Sequence, residues 1–279
     1  MIIRENVIEV DSLPENFRLK TNIVNRQPEE LIFFDLEHYV YKKPKCIGVF
    51  GACIYENNKL YVTQYMIENK GEVIQILDLA KRYFVKMKRK GKKAIVTFSG
   101  NNDYTVINYL FNKYRIEFNF SKEFEDIDIQ REYEKEIGHS IGLKNLEKEF
   151  GIQREGELIS GSNLAKTFNK VLKDRDYIQR MPKEKIETIL IYNEQDVTNL
   201  YKIYVDWKEY VGSKKEEKED NEDSEIKEEL NKDELNLDKI EDLKNDSSLE
   251  DNLIYQKENN IDEEKIDKED IDKEDINIE

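Results

Sequence analysis

Residues 31–67 alternate three strand-like apolar runs with short polar breaks, and after Gly71 the hydrophobic period changes to that of a helix. The runs are "LIFFDLE", "CIGVFGACIYE" and "KLYVTQYMIE", the last two joined by a tight polar turn at Asn57 and Asn58, which predicts an antiparallel meander. Val73, Ile74, Leu77, Ala80, Phe84, Val85 and Met87 then mark one side of a helix ending near Gly91, and "KAIVTFSG" follows as a short buried strand. A strand, a long helix and another strand make a crossover unit, which requires a parallel pair. "DYTVINYLFNKY" (103–114) reads as a second helix and "EDIDI" (125–129) as a fifth strand. Beyond lie helices at "LKNLEKEF", at "SNLAKTFNKVLK" with Ser162 as its cap, and over about 182–210. The expectation is an α/β domain over residues 1–212, with a mixed five-stranded sheet flanked by helices.

Charge divides the chain at the end of that pattern. Of a net charge of -16, residues 213–279 carry 11 lysines against 28 acidic residues, which leaves 34 basic and 33 acidic residues in 1–212. The segment "SKKEEKEDNEDSEIKEELNKDELNLDKIED" and the closing "IDKEDIDKEDINIE" offer too little apolar surface to offset the entropy of ordering them, so an acidic, disordered C-terminal tail is expected. Such an arm either solubilises the chain, binds a basic protein partner, or competes with nucleic acid for a basic groove. The only cysteines, Cys46 and Cys53, lie in an apolar stretch without zinc-ribbon spacing and read as reduced core residues. No apolar run is long enough to span a bilayer and "MIIRENVIEVDSLPENF" lacks a signal-peptide core, so the chain reads as cytoplasmic, with no membrane partner.

Carboxylates occur where apolar side chains belong. In "FFDLEH" (33–38) alternation puts Asp35 and Glu37 on the face that Phe33 shares, opposite Phe34 and Leu36. On the final helix the stripe Ile186, Ile189, Leu190, Val197, Leu200, Ile203, Tyr204 and Trp207 includes Asp196, which sits i+7 from Ile189 and four residues before Leu200. A buried carboxylate must meet a cation, a donor or a metal. Tyr192 stands one turn earlier, about 40° round the helix axis, and can reach the same place. Asp103 follows the strand "AIVTF" and the loop "SGNN", either as a helix N-cap or at the strand end where open α/β sheets bind ligands. Four such carboxylates suit two hard divalent cations, which take oxygen ligands. Zinc is disfavoured, because His38 and His139 are the only histidines and form no paired motif.

The order "FFDLEH", "FSGNNDYTVI" and "YNEQD" (192–196) resembles the DEDD superfamily of ribonuclease H-like 3′-to-5′ exonucleases, in its tyrosine-containing branch. "GLKNLEKEFGIQREGELISG" followed by "YNEQDVTNL" is similar to the YprB-type ribonuclease H-like domain family, over roughly residues 29–210. The resemblance implies a ribonuclease H-like fold and a two-metal nuclease using Mg2+ or Mn2+. It implies that Asp35 bridges both ions, Glu37 and Asp196 complete one site, Asp103 holds the second through water, and Tyr192 orients or deprotonates the attacking water. The nucleic-acid substrate it implies is a single strand, DNA or RNA, cut from the 3′ end. Ser99–Asp103 departs from the family's usual NGxxFD, with serine for asparagine and one residue fewer before the aspartate.

Other residues admit two readings each. His38 is a phosphate contact or a structural histidine, and Arg154 is a phosphate ligand or a surface partner of Glu155 or Glu157. "KMKRKGKK" (86–93) is a backbone contact for nucleic acid or a solvated helix end. Two rivals to the exonuclease remain open on sequence alone: an endonuclease on the same fold, and a module that binds nucleic acid or protein without turnover.

Overall fold

The meander that the sequence predicts forms the middle of a six-stranded sheet. The computed structural model describes residues 1–11, 18–20, 25–156 and 159–212. β1 (Ile2–Glu9), β2 (Leu31–Tyr41), β3 (Lys43–Glu56), β4 (Lys59–Met66), β5 (Ala94–Thr97) and β6 (Glu125–Asp128) lie in the order β1-β4-β3-β2-β5-β6. β2, β3, β4 and β1 pair antiparallel, whereas β2–β5 and β5–β6 are parallel. Asn57 and Asn58 both take positive φ, 52° and 58°, the left-handed pair that closes the β3–β4 hairpin tightly.

The expected five strands become six because the amino-terminal segment adds an edge strand. In β1 each face mixes apolar and polar residues: Ile3 and Val7 point to solvent with Glu5 and Glu9, while Arg4 and Asn6 turn inward with Ile2 and Ile8. Arg4 pairs with Glu187, and Asn6 Nδ2 donates to Glu194 Oε1 at 3.1 Å. Polar residues on the packed face conceal a strand from any reading based on hydrophobic period.

Among the described residues, seven α-helices accompany the sheet: α1 (Val73–Arg89), α2 (Asn101–Lys113), α3 (Phe120–Glu123), α4 (Ile129–Ile137), α5 (Leu143–Glu149), α6 (Gly161–Lys173) and α7 (Lys183–Val205). Ser160, not Ser162, caps α6: its extended backbone precedes the first turn and its hydroxyl accepts from Asn163 N at 3.3 Å. The fifth predicted strand ends at Asp128 because that carboxylate caps α4, accepting from Gln130 N at 3.1 Å. Nine residues with apolar positions only at Ile129, Tyr133 and Ile137 leave α4 a faint pattern in sequence. The last helix breaks at Asp206 and resumes as a π-turn over Lys208–Gly212, which lets Trp207 bury beside Phe150 and donate to Glu136 Oε1 at 3.2 Å.

Two cores follow from strand alternation. Phe34 and Phe50 pack against Phe84 of α1 on one face of the sheet. On the other, Phe33 meets Tyr201 and Tyr204 of α7 edge-on, with ring centroids 5.5 and 6.0 Å apart. Cys46 and Cys53 are free and buried in opposite cores. No helix among the described residues is long and apolar enough to cross a membrane. The expected acidic tail, 213–279, lies outside the described residues.

Candidate metal centre

The contact of Phe33 with α7 decides where the carboxylates go. Asp35 and Glu37 share that face of β2, so they project toward α7 just where Asp196 projects back. One oxygen each from Asp35, Glu37 and Asp196 can be chosen so that all three lie within 4.8 Å of one another. Asp35 retains some exposure, whereas Glu37 and Asp196 are buried.

A row of residues across the sheet fixes Asp35. Asp35 is opposite Gly51 in β3, and Gly51 is opposite Gln64 in β4. Because Gly51 has no side chain, Asn193 of α7 fills the space above it; a Cβ there would lie 2.1 Å from Asn193 Oδ1. Asn193 Nδ2 donates to Asp35 Oδ2 at 3.1 Å, and its Oδ1 accepts from Gln64 Nε2 at 2.9 Å. Gln64 Nε2 also donates to the Leu190 carbonyl at 2.8 Å. Gln64 Oε1 has no partner among the described residues, but the bonds of its Nε2 hold Asn193 in the orientation that donates to Asp35.

Asp196 is held from the opposite side. Arg154 Nε donates to Glu147 Oε2 at 2.7 Å and Nη2 to Glu147 Oε1 at 2.6 Å, and the same Nη2 pairs with Asp196. Asn199 Nδ2 completes the buried Glu147 at 2.9 Å. Arg154 is therefore an internal clamp, not a surface partner of Glu155; Glu157 lies outside the described residues.

Asp103 is buried in the first turn of α2, next to this trio but not one of its converging oxygens. It is not the N-cap, a position held by Gly100; its Oδ1 lies 3.9 Å from His38 Nε2. Asp128 anchors the loop that delivers it, accepting from Ser99 N at 3.0 Å and Gly100 N at 3.2 Å. The histidine is kept neutral by burial, which lowers its pKa, and its Nδ1 has no partner among the described residues.

Electrostatics at the cluster are unfavourable as they stand. Burial pushes the Asp35 carboxyl up to about 6, against the hydrogen bond from Asn193 and the charge of Arg154. Burial and then Asp35 raise Asp196 to about 8, opposed by Arg154. Glu37 and Asp103 are raised well above the usual carboxylate range, by burial first and then by the neighbouring acids. Tyr192, whose ring lies under Lys144 Nζ at 5.2 Å and Arg154 at 5.1 Å, is also pushed up, by burial and by Asp196 and Glu37. The protein's own cations therefore do not make it a phenolate. An all-oxygen set with one guanidinium against four acids fits hard divalent cations such as Mg2+ or Mn2+.

Several positioning residues left signals in the sequence that only the fold explains. Gln64 interrupts the buried alternation Leu60, Val62, Met66, and Asn193 and Asn199 stand three residues either side of Asp196 on the same buried side of α7. Gly51 carries no signal of its own, since its need for a missing side chain comes from α7.

A sequence model of the RNase_H superfamily, RNase_H_2, matches residues 32–208. No curated protein matches the chain.

Proposed function

The chain belongs to the RNase H superfamily over residues 32–208, and from that premise we propose that it is a two-metal nuclease, a 3′-to-5′ exonuclease releasing nucleoside monophosphates from single strands. Within the superfamily its motifs resemble those of the tyrosine-containing DEDD branch and the YprB-type domains, and that resemblance supports this reading. The observation that carries this reading is the convergence of Asp35, Glu37 and Asp196 within 4.8 Å from a strand and a helix 158 positions apart at Asp35 and Asn193.

Asp35, Glu37 and Asp196 would hold one ion, and Asp35 with Asp103 a second. Divalent cations held there would supply a more acidic water and charge stabilisation at the departing 3′ oxygen. The chain's own residues do the rest. Asn193 and Gln64 keep Asp35 in a single orientation, and Arg154 keeps Asp196 turned into the cluster. Tyr192 keeps its proton and orients the attacking water by hydrogen bonding. Neutral His38, beside Asp103, donates to a phosphate oxygen of the substrate.

A time course on 5′-labelled single-stranded DNA and RNA with Mg2+, Mn2+ or EDTA tests this reading, with Asp196→Asn as control. A metal-dependent ladder shortening from the 3′ end, lost in the variant, supports it. Internal cuts would establish the endonuclease instead, and binding without cleavage the inactive module.

A further inference from the structure

The described part of the chain is nearly neutral, yet the charged side chains that line one groove are all cations. A cavity of ≈ 900 Å³ opens where the end of β2, the start of α1, the end of α2 and the end of α6 meet. Lys45, Lys70, Lys113 and Lys173 line it and no acidic side chain does. None of the four has an ion pair among the described residues.

Aromatic rings alternate with these charges. Tyr39, Tyr41 and Tyr114 also line the groove, and Tyr41 is 59% exposed. Lys45 Nζ lies 6.0 Å from the Tyr41 ring centroid and Lys113 Nζ 4.9 Å from that of Tyr114. An exposed ring beside an unpaired ammonium suits a ligand that alternates flat apolar faces with negative charge.

β2 runs from the carboxylate cluster to the groove. Tyr39 and Tyr41 follow Glu37 on the same strand, and at about 3.3 Å per residue Tyr41 lies about 13 Å beyond Glu37. Register shifts after Glu37 and after Tyr39 bend the strand between the two places.

We infer that this groove is a second nucleic-acid contact, holding a single strand on the 5′ side of the bond that is cut. The inference rests on the nuclease reading for its placement of the scissile bond. Lysines engage the phosphates and Tyr41 and Tyr114 stack bases, so the enzyme grips strands longer than its active site alone would hold. Affinity there depends on length and salt, not on sequence.

The test is fluorescence anisotropy of labelled dT20 and rU20 with the full chain in EDTA, which prevents cleavage, over a range of salt. Lys113→Ala/Lys173→Ala is expected to reduce the salt slope by about 1.4, two single-strand phosphate contacts at about 0.7 each. Tyr41→Ala is expected to weaken binding about tenfold with the slope unchanged. With Mg2+, hydrolysis of a labelled trinucleotide is expected to be the same in native and variant chains, while KM for the 20-mers rises. Unchanged slope and affinity in both variants would overturn the groove, even if the chain proves to be an exonuclease. Displacement of dT20 by polyglutamate of equal charge as efficiently as by unlabelled dT20 would also overturn it. Loss of binding as expected, with no hydrolysis of any substrate, would retain the groove and remove the nuclease reading.

Discussion

Asp196 stands where a leucine would pack, and everything around it compensates for the substitution. Arg154 donates to Asp196 and Asn193 to its neighbour Asp35, and the remaining charge on Asp35, Glu37 and Asp103 is what a cation would relieve. The sign of the pH effect follows. Asp35 and Asp196 titrate near 6 and 8 in the folded chain, above the usual 3.9 or so of an unfolded aspartate. Over that interval the folded state binds more protons, so their contribution is fully present below about pH 4 and is lost as pH rises to about 8. Thermal unfolding in EDTA is therefore expected to show Tm falling from pH 5 to pH 8, a slope that Asp196→Asn flattens and Mn2+ opposes most at the upper end. A second expectation concerns Gly51: alanine there drives Asn193 off Asp35, costing about 1–3 kcal/mol of stability by overpacking. Activity is expected to fall at least tenfold, mainly in kcat, and steady-state kinetics beside denaturant unfolding measure both. The carboxylates were legible in the sequence because charge on an apolar stripe is conspicuous; Gly51 was not, since an absent side chain says nothing about what fills its place.

Among elements, β2 and α7 make the centre and the others locate them. Strand alternation in "FFDLEH" and the stripe of α7 were readable because each is a local period, and so was the β3–β4 turn at Asn57 and Asn58. β1 was not, because Arg4 and Asn6 face inward to meet α7, and that reason lies nearly two hundred residues away. The break of the last helix at Asp206 was equally hidden: period continues through it, and only burial of Trp207 against Phe150 shows why the helix stops. Trp207→Ala is expected to cost about 3–5 kcal/mol in denaturant unfolding, because it empties a site in the core facing α7. Trp207 touches none of the cluster, so the folded fraction of that variant is expected to keep its metal-dependent activity.

At the scale of the molecule, the two parts of the sequence differ most in charge. Residues 213–279 hold 28 acidic residues against 11 lysines, while 1–212 are balanced. Repulsion between such a segment and phosphates is long-ranged and screened by salt, with a Debye length of about 10 Å at 0.1 M. A chain ended at residue 212 is expected to bind oligonucleotides more tightly than the full chain at low ionic strength, with the difference vanishing as salt rises. The order of strands and helices, and hence the α/β fold, was legible because each step rests on local period and connection rules; the sixth strand and the positioning amides depended on tertiary partners. The most direct test of the metal centre is calorimetric titration of Mn2+ into the metal-free chain, native and Asp35→Asn. Two ions taken up by the native chain with release of protons, and uptake abolished in the variant, are predicted. Equal uptake by both chains, or none by the native protein, would contradict the account.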